Sequence, residues 1–466
     1  MGGKLSVVRF SSRFAPVIAS IAALHITGLY YGRLNGYLMF CLTVLFVAST
    51  SLAFLLGLSR RAQLFVGANR PVRPAKDLFW RAATCVLVAL AIGTLPGWPA
   101  FLGHRALALG LLGLIVAACW VTFRRPISFA SILALAFLLC QAWIWLPTAL
   151  DPRHTDMLPL IKLACRRFLA GANPYTNYLM PWNLPLTYLP ATWLAFLPAE
   201  VYHIDPRFLT TLLTCSAVLL IFIAFRLPDR NPNAGKVKLL LALVLLSSIT
   251  LRFSAITPGA VFWFALSLFI FFLAGKMHIA AALTMGVCLA SRQQAVLLLP
   301  FYGIFLFRSV GSKTALRCLV LAIAVPVSLC LPFVIDSPHQ FLDGIYGRFA
   351  PFAVEKWLNE RVWERSLSFA PFFFQHRVEF LLKPIIAGTQ LLLLALAIGR
   401  LRRLADLVDF MGLSLLSFLL FSPVIWPYMF TPLLVLLLGS SLLRSRDGAL
   451  AGSSETGPLG ARARHQ

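Results

Sequence analysis

A charged, proline-rich and aromatic-rich stretch interrupts an otherwise apolar chain at residues 151–207, which read DPRHTDMLPLIKLACRRFLAGANPYTNYLMPWNLPLTYLPATWLAFLPAEVYHIDPR. The residues before it contain a single acid, Asp77. The stretch itself contains four acids: Asp151, Asp156, Glu200 and Asp205. Carboxylates gathered directly after an apolar segment indicate an active-site loop at a membrane boundary.

The segment 157–169 of this stretch has the spacing of an amphipathic helix. Lys162 and Arg166 are four residues apart and share one helical face, while apolar side chains occupy the opposite face. Such a helix is expected to lie flat in a membrane interface with its cations among phosphates. Gly171 is placed to end the helix, and Asn173-Pro174-Tyr175 predicts an extended turn after it.

The composition of the whole chain indicates a polytopic membrane protein. Its 466 residues are 59% hydrophobic and 12% charged, whereas soluble proteins have about 25% charged residues. The net charge of +25 comes from short cation runs between apolar segments. This is the positive-inside pattern, so we expect no nucleic-acid partner. The nine cysteines are scattered singly, which indicates neither a disulfide framework nor a metal site.

Apolar windows predict an all-α bundle of about 12–14 transmembrane helices. The windows lie near 14–32, 36–57, 80–96, 105–123, 126–148, 207–226, 238–253, 258–274, 277–291, 294–307, 315–334, 382–400, 407–422 and 427–443. Cation clusters fall in alternate gaps, so both termini are expected in the cytoplasm. Two large loops, 151–206 and 336–380, then face outward, and together they carry ten of the sixteen acids.

Both outward loops are predicted to carry interfacial helices. In the second loop, EKWLNERVWERS at 355–366 places Glu360, Arg361, Glu364 and Arg365 at helical spacing. This segment is either a self-paired solvated helix or one whose Arg361 or Arg365 meets a phosphate. The polar, glycine-rich residues 444–466 predict a disordered cytoplasmic tail.

Several motifs follow one another in an order that is typical of a known superfamily. An Asp just beyond a span is followed by an amphipathic helix, then by G-x-NPY at 171–175 and PLTYLP at 185–190. Looser matches are ASRQQA at 290–295 and FSPVIWPY at 421–428. With this set and order the chain resembles the GT-C membrane glycosyltransferases, most closely the bacterial polyprenol-phosphate-mannose-dependent branch, over 126–443.

The chain departs from the GT-C pattern in two places. About four extra spans precede the core, so residues 1–125 are interpreted as an addition to a catalytic core at 126–443. The family's Gly-Gln-Asn element at the start of a middle span is replaced by SAITPG at 254–259. This replacement leaves the donor sugar open.

The resemblance implies inverting transfer of a sugar, with mannose as the first candidate, from a polyprenyl-phosphate donor to a glycan or glycolipid acceptor. The reaction is expected at the outer face of the plasma (inner) membrane, toward the periplasm or exterior. Asp156 is the predicted general base, because Asp151 and Asp205 directly precede prolines, where Asp commonly serves as a turn residue. No metal or other cofactor is expected, although some GT-C relatives use a metal.

Arg292 lies between two apolar runs, where an unpaired cation is expensive, and is therefore predicted to bind the donor phosphate. The other predicted substrate-binding residues come from the motifs above and from the cations near Asp156. They are Arg153, His154, Lys162, Arg166, Asn173, Tyr175, Tyr188, Trp426 and Tyr428.

Two other classes of function remain as alternatives. A transporter or flippase of lipid-linked sugars commonly has two repeated halves and charged residues within its spans, and the sequence shows neither. A non-catalytic partner in envelope polysaccharide assembly is the third hypothesis. Substitution of Asp156 separates the three, because only an enzyme loses turnover while it keeps its donor lipid.

Overall fold

A computed structural model describes the chain at residues 14–30, 36–58, 74–93, 105–146, 148–153, 155–180, 183–225, 233–347, 366–423 and 425–454. The structure is 82% helical. Its described strands, β1 (Asn177–Leu179) and β2 (Asn183–Pro185), form one short antiparallel hairpin with Tyr178 opposite Leu184. The chain is therefore a helical polytopic membrane protein, as its composition predicts.

The helices before the charged stretch are α1 (Phe14–Tyr30), α2 (Gly36–Leu58), α3 (Pro74–Gly93), α4 (Arg105–Thr122) and α5 (Pro126–Trp145). The stretch itself contains α6 (Met157–Leu169), α7 (Pro190–Leu194) and α8 (Leu197–Val201). The next helices are α9 (Pro206–Ala224), α10 (Ala234–Leu245), α11 (Ser248–Phe253), α12 (Ala260–Ala274), α13 (His278–Ser291), α14 (Leu299–Ser309), α15 (Ser312–Asp336) and α16 (Pro338–Leu342). The last are α17 (Ala370–Gln375), α18 (Leu382–Arg400), α19 (Leu404–Phe421) and α20 (Thr431–Ser454).

Each predicted apolar window overlaps a described helical segment. Seven segments are long and apolar enough to cross a membrane: Pro126–Trp145, Pro206–Ala224, Ala234–Ile256, Ser312–Asp336, Glu379–Arg400, Leu404–Phe421 and Pro427–Arg446. Their length agrees with the roughly 20 helical residues that a hydrocarbon core requires. The larger count of about 12–14 spans stays a prediction.

Burial separates the central helices from the peripheral ones. The apolar windows of Ala234–Ile256 and Pro427–Arg446 are each 83% buried, whereas those of Ser312–Asp336 and Glu379–Arg400 are 17% and 11% buried. A helix that is apolar all round is stable at the periphery only where its neighbour is also apolar. The last two helices therefore present the surface expected to face lipid.

The N-terminal helices pack directly against the region 126–443. A Cβ at Gly412 of α19 would collide with Cζ of Phe54 on α2, so the Phe54 ring fills the space that glycine leaves. On α10, a Cβ at Gly235 would lie 2.8 Å from Cβ of Trp80 on α3. Close glycine contacts of this kind let helices approach within a membrane.

The C-terminal helix differs from the sequence prediction. The tail was expected to be disordered from residue 444, but α20 continues to Ser454, and residues 455–466 lie outside the described part. Arg444 lies within this helix, and its guanidinium donates to Asp409 Oδ2 at 2.6 Å and to Asp406 Oδ1 at 2.9 Å on α19. This cross-helix ion pair ties the first residue of the predicted tail to the bundle.

Candidate functional site

Asp156 stands at the start of α6, where the sequence predicts it. It is the residue before Met157 and is half-buried. Its carboxylate makes no hydrogen bond or ion pair with any residue in the described ranges. A half-buried carboxylate without a protein partner is available to accept a proton or bind a ligand.

Arg207 fixes the chain that leads from α5 to Asp156. Its Nη1 donates to the carbonyls of Trp145 at 3.2 Å and Thr148 at 2.6 Å. Arg207 is 9% exposed, and its guanidinium lies over the Trp145 ring. This side chain from α9 therefore satisfies carbonyls at the C-terminal end of α5 and holds the start of the loop.

Asp151 and Asp205, the other two candidates for the base, each accept hydrogen bonds within a local turn of the chain. Asp151 Oδ1 accepts from the Arg153 backbone N–H at 2.8 Å. Asp205 Oδ1 accepts from the Arg207 backbone N–H at 2.9 Å, and its Oδ2 pairs with the Arg207 guanidinium at 2.6 Å. Both carboxylates thus accept from the backbone N–H two residues on, as turn residues before proline do, whereas the Asp156 carboxylate has no such bond among the described residues.

Arg292 lies at the C-terminal end of α13 in extended conformation. Its guanidinium carbon is 5.4 Å from the centroid of the Tyr188 ring. Its Nη2 is 3.3 Å from the position that a Cβ would take at Gly259. Within the described residues this half-buried guanidinium has no hydrogen-bonding or carboxylate partner. A guanidinium of this kind is able to bind an anion through its N–H donors.

Three hydrogen bonds hold Tyr188 beside Arg292. Thr192 Oγ1 donates to the Ser291 carbonyl at 2.6 Å, and Gln293 Nε2 donates to the Thr187 carbonyl at 3.2 Å. The Tyr175 hydroxyl donates to the Tyr188 carbonyl at 2.9 Å. These bonds attach the loop to the end of α13, so the Tyr188 ring is fixed on the Arg292 guanidinium.

Tyr428 joins this group from the turn Pro427–Phe430. The charges of Asp156 and Arg292 act on both the Tyr188 and the Tyr428 hydroxyls. Burial raises the pKa of Tyr188, and the Arg292 charge opposes that increase. The structure thus brings together four predicted site residues that are distant in sequence: Asp156, Tyr188, Arg292 and Tyr428.

Two predicted phosphate-binding cations have protein carboxylates as neighbours. Arg166 Nε lies 2.5 Å from Glu200 Oε1. The Lys162 charge acts on Asp205 and helps to lower the pKa of that carboxyl. Both cations therefore lie against α8 and the start of α9, where their charge is partly neutralised.

The Asn-Pro-Tyr element joins the two loops that are predicted to face outward. Asn173 Nδ2 donates to Asp336 Oδ2 at 2.6 Å, and its Oδ1 accepts from the Tyr175 backbone N–H at 2.8 Å. The sequence placed Tyr175 among the substrate-binding residues, but its side chain is fully buried. Its hydroxyl accepts from Trp193 Nε1 at 3.3 Å, so protein groups enclose Tyr175 in this structure, and its part in substrate binding stays a prediction.

The remaining predicted residues contribute less. The Arg153 side chain is exposed, and half-buried Trp426 precedes the turn that carries Tyr428. His154 lies outside the described residues, as does most of 355–366. Within the described part, no three His, Cys, Asp or Glu side chains are grouped as metal ligands; the expectation of no required metal stays a prediction.

Sequence reasoning missed Gly259, which leaves room for the Arg292 guanidinium. The available signal was the dipeptide Pro258-Gly259 at the start of an apolar run, since Pro-Gly marks a turn. A turn signal does not say which side chain approaches it from another helix.

Asp156 and Arg292 carry opposite charges, and neither is paired with the other or with another described residue. Both charges act on the hydroxyls of Tyr188 and Tyr428. The carboxylate is able to take a proton from a hydroxyl, and the guanidinium is able to bind a phosphate through two parallel hydrogen bonds. No protein-family model, curated protein or solved structure matches the chain.

Proposed function

We propose that the chain is an integral-membrane glycosyltransferase that moves a sugar from a polyprenyl-phosphate donor to a glycan or glycolipid acceptor. Mannose is the first donor sugar to test. The reaction is assigned to the outer face of the plasma (inner) membrane. The observation that carries the proposal concerns Asp156 and Arg292, which have no hydrogen-bonding or ion-pair partner among the described residues and whose charges both act on the Tyr188 and Tyr428 hydroxyls.

The proposed reaction is a single displacement with inversion. The acceptor hydroxyl oxygen forms a bond to the anomeric carbon while its proton passes to the Asp156 carboxylate. The bond between the anomeric carbon and the phosphate oxygen breaks, and its electron pair remains on the departing polyprenyl phosphate. Arg292 stabilises the negative charge that develops on that phosphate.

Removal of the base is the direct test. We expect Asp156→Asn to lose roughly 10² to 10⁴ in turnover, the usual contribution of one positioned base, while donor binding is largely kept. The matched control is Asp151→Asn, because Asp151 accepts from a backbone N–H in its own turn. Purified protein in nanodiscs, assayed against a panel of polyprenyl-phosphate sugars, provides both measurements.

Full activity of Asp156→Asn contradicts the assignment of the base. A product that retains the donor's anomeric configuration contradicts the single displacement. Donor binding without turnover in the unmodified protein favours the transporter or the non-catalytic partner, and reconstituted vesicles that move the donor lipid between leaflets identify the former.

A further inference from the structure

Helix α2, from the N-terminal region that precedes the proposed catalytic core, contacts both α19 and the turn Pro427–Phe430 that carries Tyr428. The Phe54 ring fills the space above Gly412 on α19. Phe46, on the same helix, packs edge-to-face on Phe430, with ring centroids 4.8 Å apart. Both phenylalanines of α2 are buried. One helix thus touches α19 and also the turn that follows it.

The chain just before this turn is held by hydrogen bonds to residues 366 and 367. Leu367 N–H donates to the Ile425 carbonyl at 2.9 Å, and Ile425 N–H donates to Ser366 Oγ at 2.8 Å. Phe430 ends the turn Pro427–Phe430, two residues after Tyr428. A short turn held just before its start by residues 366 and 367 and at its last residue by an aromatic contact has little freedom to move.

Helix α2 is itself anchored. Ser20 Oγ of α1 donates to Ser49 Oγ of α2 at 3.0 Å, and α1 packs on α11. A polar bond between two apolar helices fixes their register in a membrane. The Phe46 ring therefore reaches Phe430 from a rigid support.

We infer that α2 is a positioning element of the site, in which Phe46 acts through Phe430 to hold the Tyr428 hydroxyl where the charges of Asp156 and Arg292 act on it. The kinetic consequence rests on the proposed function. The position of Tyr428 can be measured in protein that transfers no sugar. A failure of the positioning by α2 can therefore be distinguished from a failure of the proposed glycosyl transfer.

The first measurement is the fluorine NMR spectrum of fluorotyrosine-labelled protein in nanodiscs, in which the Tyr428 signal is assigned by its loss in Tyr428→Phe. We expect Phe46→Ala to shift or broaden the Tyr428 signal and to leave the signal of exposed Tyr202 unchanged. The matched control is Leu45→Ala, since Leu45 is adjacent on α2 but 50% exposed. If Phe46→Ala does not fold, Phe46→Leu keeps apolar volume and is expected to give a smaller shift of the same signal.

The second measurement is kinetic. A displaced site group costs about tenfold to a hundredfold in turnover, so Phe46→Ala should lower kcat by this factor with donor KM changed by less than about twofold. Because Phe46 acts through Tyr428, the double variant Phe46→Ala with Tyr428→Phe should be no slower than Tyr428→Phe alone.

An unmoved Tyr428 signal in Phe46→Ala overturns the inference, and so do fully additive losses in the double variant. If the Tyr428 signal moves and no form of the protein transfers sugar, the positioning by α2 stands and the proposed reaction fails.

Discussion

The Arg292 guanidinium is partly removed from water, and its neighbouring groups decide how much of the desolvation cost is offset. Arg292 is half-buried and, among the described residues, its guanidinium contacts the Tyr188 ring without a hydrogen-bonding partner. A cation–π contact contributes about 0.5–2 kcal/mol, which is less than the several kcal/mol that desolvation of a buried ion costs. A bound anion or water is needed to satisfy the remaining N–H donors.

The charge of Arg292 is expected to determine donor affinity. Arg292→Gln should weaken donor binding by about 10- to 100-fold, because a hydrogen bond to a charged group contributes about 1.5–3 kcal/mol. Arg292→Lys should retain part of the affinity, since Lys keeps the charge and loses the planar fork. Titration of a polyprenyl-phosphate sugar into protein in nanodiscs measures both.

The control for this experiment is Arg166→Gln, because Arg166 is already paired with Glu200. If Arg292→Gln binds the donor as tightly as the unmodified protein, Arg292 only supports Tyr188. If Arg166→Gln weakens donor binding as much as Arg292→Gln does, the loss comes from the reduced positive charge of the surface and not from a specific contact with Arg292.

Asp205 is a carboxylate whose pairing makes stability depend on pH. Burial raises its pKa, but hydrogen bonds and the charge of Arg207 outweigh burial, so the pKa of Asp205 lies below its ordinary value. A carboxyl with a lowered folded-state pKa adds stability above the unfolded pKa of about 3.9. That stability is lost as the pH falls through the folded-state pKa.

Asp205→Asn should therefore unfold more easily than the unmodified protein at about pH 7 and more nearly equally at about pH 3. Asn still caps α9, so the difference isolates the pairing with Arg207. Asp205 is 39% exposed, and solvent screening limits the loss to about 1 kcal/mol. Thermal melts at several pH values measure it, with exposed Asp343→Asn as the control. If the difference in melting temperature between Asp205→Asn and the unmodified protein does not vary with pH, the carboxylate charge does not have this role.

The residues of the candidate site differ in how far the sequence alone could predict their surroundings, and the reason is physical. Arg292 was identifiable because a cation between apolar runs has a cost that implies a partner. Lys162 and Arg166 were placed correctly on one helical face, since helical spacing depends on local sequence. Their neighbours Asp205 and Glu200 come from later segments, and spacing within one helix cannot reveal them.

At the scale of elements, the apolar windows located the helices. A chain in hydrocarbon must form all its backbone hydrogen bonds with itself, and a helix forms them between residues that are close in sequence. Gly171 also ends α6 as predicted, with φ of +76°. The order of burial was not available from hydropathy: α10 and α15 are both apolar, but the first is central and the second peripheral. The β1–β2 hairpin and the α2 contacts with α19 depend on tertiary packing and were not predicted.

The crossing of α13 and α15 makes an element-scale prediction. A Cβ at Gly286 of α13 would lie 2.5 Å from Val325 Cβ of α15. Gly286→Val should therefore force the helices apart and destabilise the protein by about 1–3 kcal/mol, the usual effect of overpacking. The control is Gly388→Val on α18, where no atom lies within 4 Å of the added Cβ.

Thermal melts of both variants in one detergent give the comparison. The two substitutions introduce the same β-branched residue into a helix, so the propensity change is equal. Equal melting temperatures for the two variants contradict a close contact between α13 and α15. A lower melting temperature for Gly286→Val alone supports it.

For the whole molecule, the candidate site and a basic surface lie at opposite ends of the bundle. Helix α5 runs from Arg125 to the loop before Asp156, and α15 runs from Lys313 to Asp336, which accepts a hydrogen bond from Asn173 of the 151–206 loop. Helices of 20 to 25 residues separate their ends by about 30 Å or more at 1.5 Å per residue. Basic residues at the far end follow the positive-inside pattern, so we expect the site to face outward.

Cysteine labelling tests this orientation. Leu179→Cys, in a side chain 91% exposed on β1, should react with a membrane-impermeant maleimide in intact cells. Lys313→Cys, at the exposed start of α15, should react only after permeabilisation. The native cysteines of the described part are buried or half-buried, so the unmodified protein serves as the background control. The reverse pattern places the Asp156 end in the cytoplasm, and a glycosyl transfer at the outer face is then impossible.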